Sequence, residues 1–445
     1  MTALSTALLT DHYELTMVQA ALRTGVGNRR AVFEVFARRL PEGRRYGVVA
    51  GTGRLLDAIE QFRFDADTLD LLDRAGIVDP PTLEWLAGYR FSGDIWGYGE
   101  GDCYFPGSPI LVVESSFAEA VVLETLSLSI LNHDSAIAAA ASRMTMAAGN
   151  RPCVEMGSRR THEVAAVAAA RAAYIAGFAT TSNLEARRRY GIPTSGTSAH
   201  AFTLLHDTER GAFESQVDTL GPGTTLLVDT YDVTEGVRTA VEVAGPDLGA
   251  VRLDSGDLVE QARQVRAQLD TLGAAKTRIV VTSDLDEYQI AALAAAPVDA
   301  YGVGTALVTG SGAPAAGLVY KLVARAVDDA PGAALRPVAK RSPAKAGIGG
   351  RKWAIREVDP IGTATAETIG TTPAPPARIG QQTDRRAGYR ELLVPLIRDG
   401  TVIGREHLEA ARDRHYAALQ ELPATAHQLS RGEPAIPTRY VEEPR

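Results

Sequence analysis

Short apolar runs alternate with helix-like stretches through the middle of the chain. The runs TTLLVDTYD, GAVRLDSGDL, TRIVVTSDLDE and VDAYGVGTALVT occupy 224–232, 249–258, 277–287 and 298–309. The stretch after the second run, VEQARQVRAQLDTLG, has the pattern of an amphipathic helix that ends at Gly273. Short strands that alternate with helices predict βαβ units and a parallel sheet.

Two upstream segments, 153–177 and 177–191, follow the same plan. In every unit the polar residues come directly after the predicted strand. In a parallel α/β barrel these loops converge on one rim, where active sites lie. In an open, doubly wound sheet they would line a crevice instead. The number of polar loops that must converge favours the barrel, although hydrophobic periodicity by itself does not establish that the sheet closes.

The flanking regions have a different pattern. Residues 29–54 and 91–117 are punctuated by Gly and Pro and read as antiparallel strands, and 117–147 is a long helical stretch. Asp399-Gly400 lies between two apolar runs, which indicates a hairpin, and REHLEAARDRHYAALQEL reads as a closing helix. We therefore expect a second α+β domain formed from both chain ends. Its parts are expected at 1–116 and 335–445, with the barrel at 117–334.

Composition narrows the class of protein. The chain has 445 residues, 45% of them hydrophobic, which suffices for a large core. Its net charge of −8, with both signs interspersed, argues against a general nucleic-acid or polybasic membrane binder. The first residues lack the pattern of a signal peptide. Cys103 and Cys153, the two cysteines, form no disulfide framework, so we expect a reduced, cytoplasmic protein.

The loop RLDSGD carries the first candidate chemistry. It brings Arg252, Asp254, Ser255 and Gly256 to a strand end at the start of a helix. Backbone N–H groups in such a loop hold a phosphate, helped by the helix dipole. Nearby aspartates suit a Mg²⁺-phosphate or a ribose. A helix-capping turn with solvated carboxylates is the alternative. A second Gly-rich loop, GVGT (302–305), follows a strand in a neighbouring unit, and two such loops together favour a sugar-phosphate site.

Two further segments have both a functional and a structural interpretation. GSRR (157–160) offers an arginine for phosphate or carboxylate at a helix start, or simply a solvated basic helix end. GTSAHAF (196–202) passes small residues and hydroxyls close to His200, as a phosphate-binding segment does. A lone histidine such as His200 is more often structural than catalytic, and we interpret the other histidines as structural.

Taken together, the motifs resemble the nicotinate phosphoribosyltransferase family. They occur in the family's order from near residue 10 past residue 320, and they are TDHYELTM (10–17), EMGSRR (155–160), TSN (181–183), GTSAHAF (196–202), VRLDSGDL (251–258), SDLDE (283–287), YGVGT (301–305) and VYKL (319–322). The resemblance implies a type II phosphoribosyltransferase with an irregular parallel α/β barrel, and a homodimer with shared active sites. The implied reaction joins nicotinate to 5-phosphoribosyl-1-pyrophosphate (PRPP), giving nicotinate mononucleotide and pyrophosphate in NAD salvage. It is coupled to ATP hydrolysis through a phosphohistidine, with Mg²⁺ as cofactor.

The resemblance also assigns roles to individual residues. His200 matches the phosphorylated histidine. Tyr13, Thr197 and Arg252 match nicotinate-binding positions, with Tyr13 often supplied by the other subunit. The residues expected to hold the phosphoribosyl phosphates are Arg159, Ser255, Gly256, Gly304 and Thr305. Asp254 is expected to contact ribose or Mg²⁺ as a catalytic residue, and Asp284 is a second metal candidate.

Several alternatives stay open. Nicotinamide-using relatives carry an aspartate near the position of Ser182, and a serine there favours the acid as substrate. A quinolinate phosphoribosyltransferase shares the barrel plan. Two further alternatives belong to other functional classes. One is a non-catalytic barrel protein that binds a sugar phosphate, and the other is a barrel aldolase or isomerase. The basic loop at 340–352 is expected to fold over bound phosphates.

Overall fold

The structure, a computed structural model, describes residues 5–330, 332–340, 347–371 and 388–441. The chain divides into two compact units. Unit 1 consists of Met1–Ala136 and Ala315–Arg445, and unit 2 consists of Ile137–Pro314. Both ends of the chain therefore belong to one unit and the middle to the other.

The first part of unit 1 mixes helices with the strands expected from its Gly/Pro-punctuated sequence. In order these are α1 (His12–Arg23), β1 (Arg30–Ala37), β2 (Gly47–Val48), α2 (Thr52–Glu60), α3 (Ala66–Arg74), α4 (Pro80–Ala87), β3 (Asp94–Tyr98), β4 (Cys103–Tyr104), β5 (Leu111–Ser116) and α5 (Phe117–Val121). The long helix α6 (Glu124–Ala148) follows and contributes residues to both units.

Unit 2 alternates strands and helices as the hydrophobic pattern predicts. Its elements are β6 (Cys153–Glu155), α7 (Glu163–Ile175), β7 (Thr180–Thr181), α8 (Leu184–Tyr190), α9 (His200–Leu205), α10 (Glu209–Leu220), β8 (Thr225–Leu227), α11 (Val233–Ala244), β9 (Ala250–Leu253), α12 (Leu258–Thr271), β10 (Arg278–Thr282), α13 (Glu287–Ala292), a 3₁₀ turn (Leu293–Ala295), β11 (Ala300–Val303) and α14 (Thr305–Val308).

The returning part of unit 1 is mostly strands. They are β12 (Leu318–Ala326), β13 (Leu335–Pro337), β14 (Trp353–Val358), β15 (Ala364–Gly370), β16 (Gly388–Glu391), β17 (Leu393–Arg398), β18 (Thr401–Val402) and β19 (Thr438–Val441), with α15 (Leu408–Glu421) and a 3₁₀ turn (Ala424–His427) before the last strand.

The sheet of unit 2 confirms the predicted parallel α/β fold. Its strand order is β7-β6-β11-β10-β9-β8, and every pairing in it is parallel. A single parallel bridge, Thr181 to Thr194, extends it beyond β7. The sheet is thus a curled half-barrel, interrupted along the described chain between Thr194 and β8. The irregularity predicted for the barrel lies at this gap.

Antiparallel sheets form the framework of unit 1, as the flanking sequence predicts. One has the order β13-β12-β1-β5-β3-β17-β18 and is antiparallel throughout. Another has the order β16-β14-β15-β19 and is antiparallel except for its last strand, because β19 runs parallel to β15. The hairpin between β17 and β18 turns at Asp399 and Gly400, whose φ angles of 45° and 72° are those that a two-residue turn requires. The apolar side chains of these sheets and of α1, α2 and α6 pack into one core.

Strand β12 determines where the chain returns to unit 1. It pairs along its length with β1, from Ala37–Leu318 to Ala31–Arg325. Residues 318–326 therefore belong to the antiparallel sheet, and unit 1 resumes at Ala315 and not at the expected 335. The alternating burial of β12 is the pattern of a strand with one face on a core.

Buried charges connect the two chain ends inside unit 1. The side chains of Arg356 and Glu367 are both 0% exposed and form an ion pair at 2.8 Å. Tyr98 donates its hydroxyl to Glu367 at 2.7 Å, and Arg356 donates to the carbonyl of Cys103 at 2.8 Å. Residues far apart in sequence thus supply partners for Glu367 and for Arg356 Nη2, as burial of a charge requires. Arg356 Nε and Nη1 are buried without a hydrogen-bond partner among the described residues.

Within the described ranges, no helix combines the length and the apolar character needed to cross a bilayer.

Candidate active site

The candidate site lies at the carboxyl ends of the strands of unit 2. The loops after β6, β7, β8, β9, β10 and β11 leave the sheet at the same edge, because neighbouring parallel strands run in the same direction. The apolar strands fix the register, and the polar residue that follows each one is left at this edge. The chemistry of the site therefore depends on which of these polar side chains meet.

His200 begins α9 and faces the loops after β8 and β9. Its Nδ1 lies 3.1 Å from the hydroxyl oxygen of Thr230. Its Nε2 lies 4.0 Å from Asp229 Oδ1 and 3.9 Å from Asp254 Oδ2. The imidazole is 41% exposed, so it is oriented on one side by a hydroxyl and remains accessible to a ligand.

Asp229 is the buried carboxylate of this cluster, with a side chain that is 2% exposed. Its Oδ2 accepts the backbone N–H of Asp254 at 2.8 Å and the hydroxyl of Ser255 at 3.1 Å. Its Oδ1 is buried without a hydrogen-bond partner among the described residues. A buried carboxylate oxygen without a donor is unfavourable unless a ligand or cation completes it.

Asp254 is held in place from a neighbouring strand. Thr282, the last residue of β10, donates its hydroxyl to Asp254 Oδ1. Oδ2 is left pointing toward His200. Because Thr282 and the backbone N–H of Asp254 are both fixed by the sheet, the carboxylate has a defined orientation before any substrate binds.

Arg252 lies on β9 beside these acids. Its Nη1 donates to the hydroxyl of Thr197 at 2.5 Å, and its Nε is buried without a partner in the described part of the chain. Burial lowers the pKa of the Arg252 guanidinium; the carboxylates of Asp254 and Asp229 oppose this effect, and the positive charge of Arg159 adds to it. The guanidinium is thus partly desolvated and retains an N–H group for an anionic ligand.

The glycines of the site bring backbone close to its neighbours. Gly256 has φ of 88°, and a Cβ there would lie 2.4 Å from the Gln261 side chain, so this turn requires glycine. Gly304 precedes α14, and Thr305 begins it. The loop after β6, which carries Arg159, packs against this segment: a Cβ on Gly157 would lie 3.1 Å from the Gly304 carbonyl oxygen.

Asp284 lies apart from this cluster within unit 2, and Tyr13 is a residue of unit 1. Asp284 is exposed in the loop after β10 and has no hydrogen bond or ion pair to the residues above. Tyr13 belongs to unit 1, where it is 47% exposed on α1. Burial, followed by the charge of Glu124, raises the pKa of Tyr13 to about 12. The loop expected to cover the phosphates, 340–352, includes residues 341–346, which lie outside the described residues.

The carboxylates suit a hard divalent cation bound together with phosphate. In the described part of the chain, no group of three or more His, Cys, Asp or Glu side chains could hold a metal ion by itself. Mg²⁺ is usually bound through one or two carboxylates plus substrate phosphates and waters. The unpartnered Oδ1 of Asp229 and the nearby Oδ2 of Asp254 match that donor set.

Sequence reasoning missed part of this cluster. The sequence pattern predicts that DTYD is a loop after a strand, but it assigns no role in the site to Asp229, Thr230 or Thr282. A signal was present for two of them: Thr282 ends β10, and Asp229 follows the buried end of the β8 run. The local sequence alone does not distinguish Asp229 from Asp284, which also follows an apolar strand but is exposed.

Comparison with known families and proteins supplies a second line of argument. Residues 8–132 match the family model for the nicotinate phosphoribosyltransferase (NAPRTase) N-terminal domain. The nicotinate phosphoribosyltransferase pncB1 of Mycobacterium tuberculosis (strain CDC 1551 / Oshkosh) is 60% identical over 442 residues, covering 98% of this chain and 95% of the relative. The Bacillus subtilis (strain 168) nicotinate phosphoribosyltransferase is 38% identical over 330 residues, covering 72% of this chain and 67% of the relative.

Solved structures agree with these relatives in fold. The crystal structure of human nicotinic acid phosphoribosyltransferase superposes with a TM-score of 0.81 at 25% identity, covering 97% of this chain and 98% of that chain. The nicotinate-nucleotide pyrophosphorylase from Pyrococcus furiosus superposes with a TM-score of 0.74 at 23% identity, covering 93% and 94%. The second likeness concerns the fold alone.

Proposed function

The chain belongs to the nicotinate phosphoribosyltransferase family, and we propose that it joins nicotinate to PRPP at the carboxyl edge of the unit 2 sheet. The products are nicotinate mononucleotide and pyrophosphate, and the reaction serves NAD salvage. ATP hydrolysis drives it through phosphorylation of His200. The observation that carries this assignment is the meeting of His200, Asp229 and Asp254 beside the Arg252–Thr197 pair.

His200 is the nucleophile toward ATP. A lone pair of the imidazole attacks the γ-phosphorus, the bond to the bridging oxygen breaks, and ADP leaves with that electron pair. Thr230 holds the ring at Nδ1, 3.1 Å away. The carboxylates of Asp229 and Asp254 lie 4.0 and 3.9 Å from Nε2, where they stabilise positive charge that develops on the phosphorylated ring.

Arg252 binds the carboxylate of nicotinate. A guanidinium forms two parallel hydrogen bonds with a carboxylate, and partial burial strengthens the interaction. Thr197 orients the guanidinium through its 2.5 Å hydrogen bond. The substrate carboxylate also offers an acceptor for the Arg252 N–H groups. This geometry supports the acid over the amide, in agreement with serine at position 182.

The glycosyl step depends on positioning and charge stabilisation. The pyridine nitrogen attacks the anomeric carbon of PRPP as the bond to pyrophosphate breaks, through a state with oxocarbenium character. We assign the phosphates of PRPP to Arg159 and to the backbone and hydroxyls of Ser255, Gly256, Gly304 and Thr305. Asp254 contacts the ribose or the metal ion. Asp284 stays a weaker metal candidate because it stands apart from the carboxylate pair.

Mg²⁺, held by Asp229 and Asp254 together with substrate phosphates, would neutralise charge on the pyrophosphate when bound. The ligands themselves are preorganised by this chain. Ser255 and the Asp254 N–H hold Asp229, and Thr282 holds Asp254. A fixed carboxylate pair limits the reorganisation needed when substrate phosphates arrive.

A homodimer with shared active sites is the proposed assembly. Large apolar side chains are exposed near His200 on unit 2, including Leu204 at 61%, Leu205 at 79% and Tyr231 at 62%. Exposed apolar groups of this kind are typical of a surface that a partner covers. Tyr13 of the partner would then stack on the pyridine ring. Cys103 and Cys153 are free thiols, which fits the cytoplasmic location expected from the sequence.

The test begins with ATP labelled on the γ-phosphate. The wild-type protein is expected to acquire an acid-labile, base-stable phosphoryl group, and His200→Ala is expected to lose it. His206→Ala is the matched control, because His206 is the C-cap of α9, the helix that His200 begins, and contacts Phe202 of the same helix through its Nδ1 and its ring. Labelling that survives in His200→Ala would refute the role of His200. Failure of the wild type to form nicotinate mononucleotide would refute the function.

A further inference from the structure

Glu155 is a buried carboxylate at the edge of the sheet that the mechanism above does not use. It ends β6 and is 0% exposed. Its Oε1 accepts the backbone N–H of Gly157 at 2.5 Å, and its Oε2 accepts the hydroxyl of Thr181 at 2.5 Å. Burial raises the pKa of the Glu155 carboxyl, and these two hydrogen bonds oppose the rise. Because each carboxylate oxygen accepts a hydrogen bond from a different segment, Glu155 links the loop after β6 to the end of β7.

The two loops that Glu155 joins are also linked around it. The Ser182 N–H donates to the Glu155 carbonyl at 2.8 Å. The Asn183 N–H donates to the Thr181 hydroxyl oxygen at 3.0 Å, and the Asn183 side chain donates to the Ser158 hydroxyl at 2.9 Å. The loops after β6 and β7 therefore form one polar network with the Glu155 carboxylate at its centre.

The other side of the first loop is confined by packing. A Cβ on Gly157 would lie 2.2 Å from Val308 Cγ1 and 3.1 Å from the Glu155 Oε1 atom. The Met156 N–H donates to the Val303 carbonyl at 2.8 Å. The chain at Gly157 is thus clamped between the Glu155 carboxylate and the β11–α14 segment, and Arg159 follows two residues later.

We propose that Glu155 is a positioning residue that sets the place of the Arg159 loop for binding the phosphates of PRPP. The inference rests on the proposed function, since Arg159 acts on PRPP only if the chain is a phosphoribosyltransferase. The Glu155 contacts lie in the loops after β6 and β7. His200, Asp229 and Asp254 belong to α9 and to the loops after β8 and β9. Loss of Glu155 therefore weakens PRPP binding and leaves phosphorylation of His200 intact.

The experiment compares Glu155→Ala with Thr181→Val and Thr181→Ser. In Glu155→Ala the KM for PRPP is expected to rise about tenfold or more, as when an outer partner of a ligand-binding group is removed. Thr181→Val removes one of the two hydrogen bonds to Glu155 and is expected to raise the KM for PRPP several-fold. Thr181→Ser keeps the hydroxyl and is expected to have the wild-type KM. ATP-dependent labelling of His200, measured without PRPP, is expected to stay within about twofold in all three variants.

Thr277→Val is the matched control for a buried threonine. Thr277 lies just before the amino end of β10, whereas the candidate site lies at the carboxyl ends of the strands. It donates its hydroxyl to the Leu248 carbonyl at 2.9 Å. It is expected to lower the thermal unfolding midpoint as Thr181→Val does, but to leave the KM for PRPP unchanged. If Glu155→Ala does not fold, the Thr181→Val and Thr181→Ser pair decides.

An unchanged KM for PRPP in folded Glu155→Ala and in Thr181→Val would overturn the proposal. A parallel loss of labelling and PRPP binding would also overturn it, because that pattern indicates a general structural defect. A wild-type protein without phosphoribosyl transfer would instead refute the proposed function. The two failures are therefore distinguishable.

Discussion

Replacing Arg252 by alanine is expected to weaken nicotinate binding more than any other property of the protein. The guanidinium donates to Thr197 at 2.5 Å and has a buried Nε with no partner in the described ranges. Burial lowers its pKa, with the charge of Arg159 acting in the same direction. A partly desolvated cation of this kind interacts strongly with a carboxylate.

The magnitude follows from the burial of the pair. Truncating one partner of a buried, hydrogen-bonded charge pair costs about 2–5 kcal/mol. Thr197 and Ser255 beside it are exposed, so solvent screens part of the interaction and the lower half of that range applies. A cost of about 2–3.5 kcal/mol corresponds to a KM for nicotinate raised about 30- to 400-fold. Arg252→Lys keeps the charge but loses the planar fork, so its effect is expected to be smaller.

The assay is steady-state kinetics with nicotinate varied at saturating PRPP and ATP. Arg238→Ala is the control, because Arg238 is an exposed arginine of the same unit that pairs with Glu235 on α11. The ratio of kcat/KM for nicotinate to kcat/KM for nicotinamide is expected to fall in Arg252→Ala and to stay unchanged in Arg238→Ala. A nicotinate KM within about twofold of wild type would remove Arg252 from the substrate site. A KM for PRPP that rises instead would reassign it to phosphate.

Three further substitutions test the surroundings of the site and the stability of the chain. Asp229→Asn is expected to slow ATP-dependent labelling of His200 by about tenfold or more, because the imidazole loses a carboxylate 4.0 Å from its Nε2. The KM for nicotinate is expected to stay near the wild-type value. Labelling rates equal to those of the wild type would contradict this prediction. Arg143→Met leaves Glu287 buried without its 3.0 Å partner, so denaturant titration is expected to show a loss of about 3–5 kcal/mol, and a loss below about 1 kcal/mol would exclude a buried charge there. Burial lowers the pKa of His415 to about 4, below its usual value of 6.5, so its neutral form stabilises the fold above pH 6.5 and this stability is lost as the pH falls toward 4. The thermal midpoint of His415→Gln is therefore expected to depend less on pH in that window, and identical slopes would refute the assignment.

Much of the fold was predictable because local pattern and tertiary structure agree. The apolar runs that precede Asp229, Asp254 and Gly304 each became a parallel strand followed by a helix. A strand buried on both faces needs a continuous apolar run, and the helix after it needs a polar start. Asp399-Gly400 formed a hairpin because both residues tolerate positive φ. These features depend on a few neighbouring residues each.

The candidate site was less predictable. Asp229 and Asp284 both follow apolar runs, yet the first is buried next to His200 and the second is exposed. Their fates differ because Ser255 and the Asp254 N–H, from a different strand, hold Asp229. Glu155 likewise reads as an ordinary polar residue after two apolar ones. Its role depends on Thr181, which is brought to it by strand pairing.

The sequence by itself determined which residues stand at the carboxyl edge of the parallel sheet and which family's motifs they form. Strand length, apolar character and the first polar residue after each strand are local properties, so they can be read in order along the chain. Only the tertiary structure decided that Asp229 and Thr282 join His200 and Asp254, and that β12 belongs with β1. Those contacts link residues on separate strands, and sheet pairing and packing bring them within hydrogen-bonding distance.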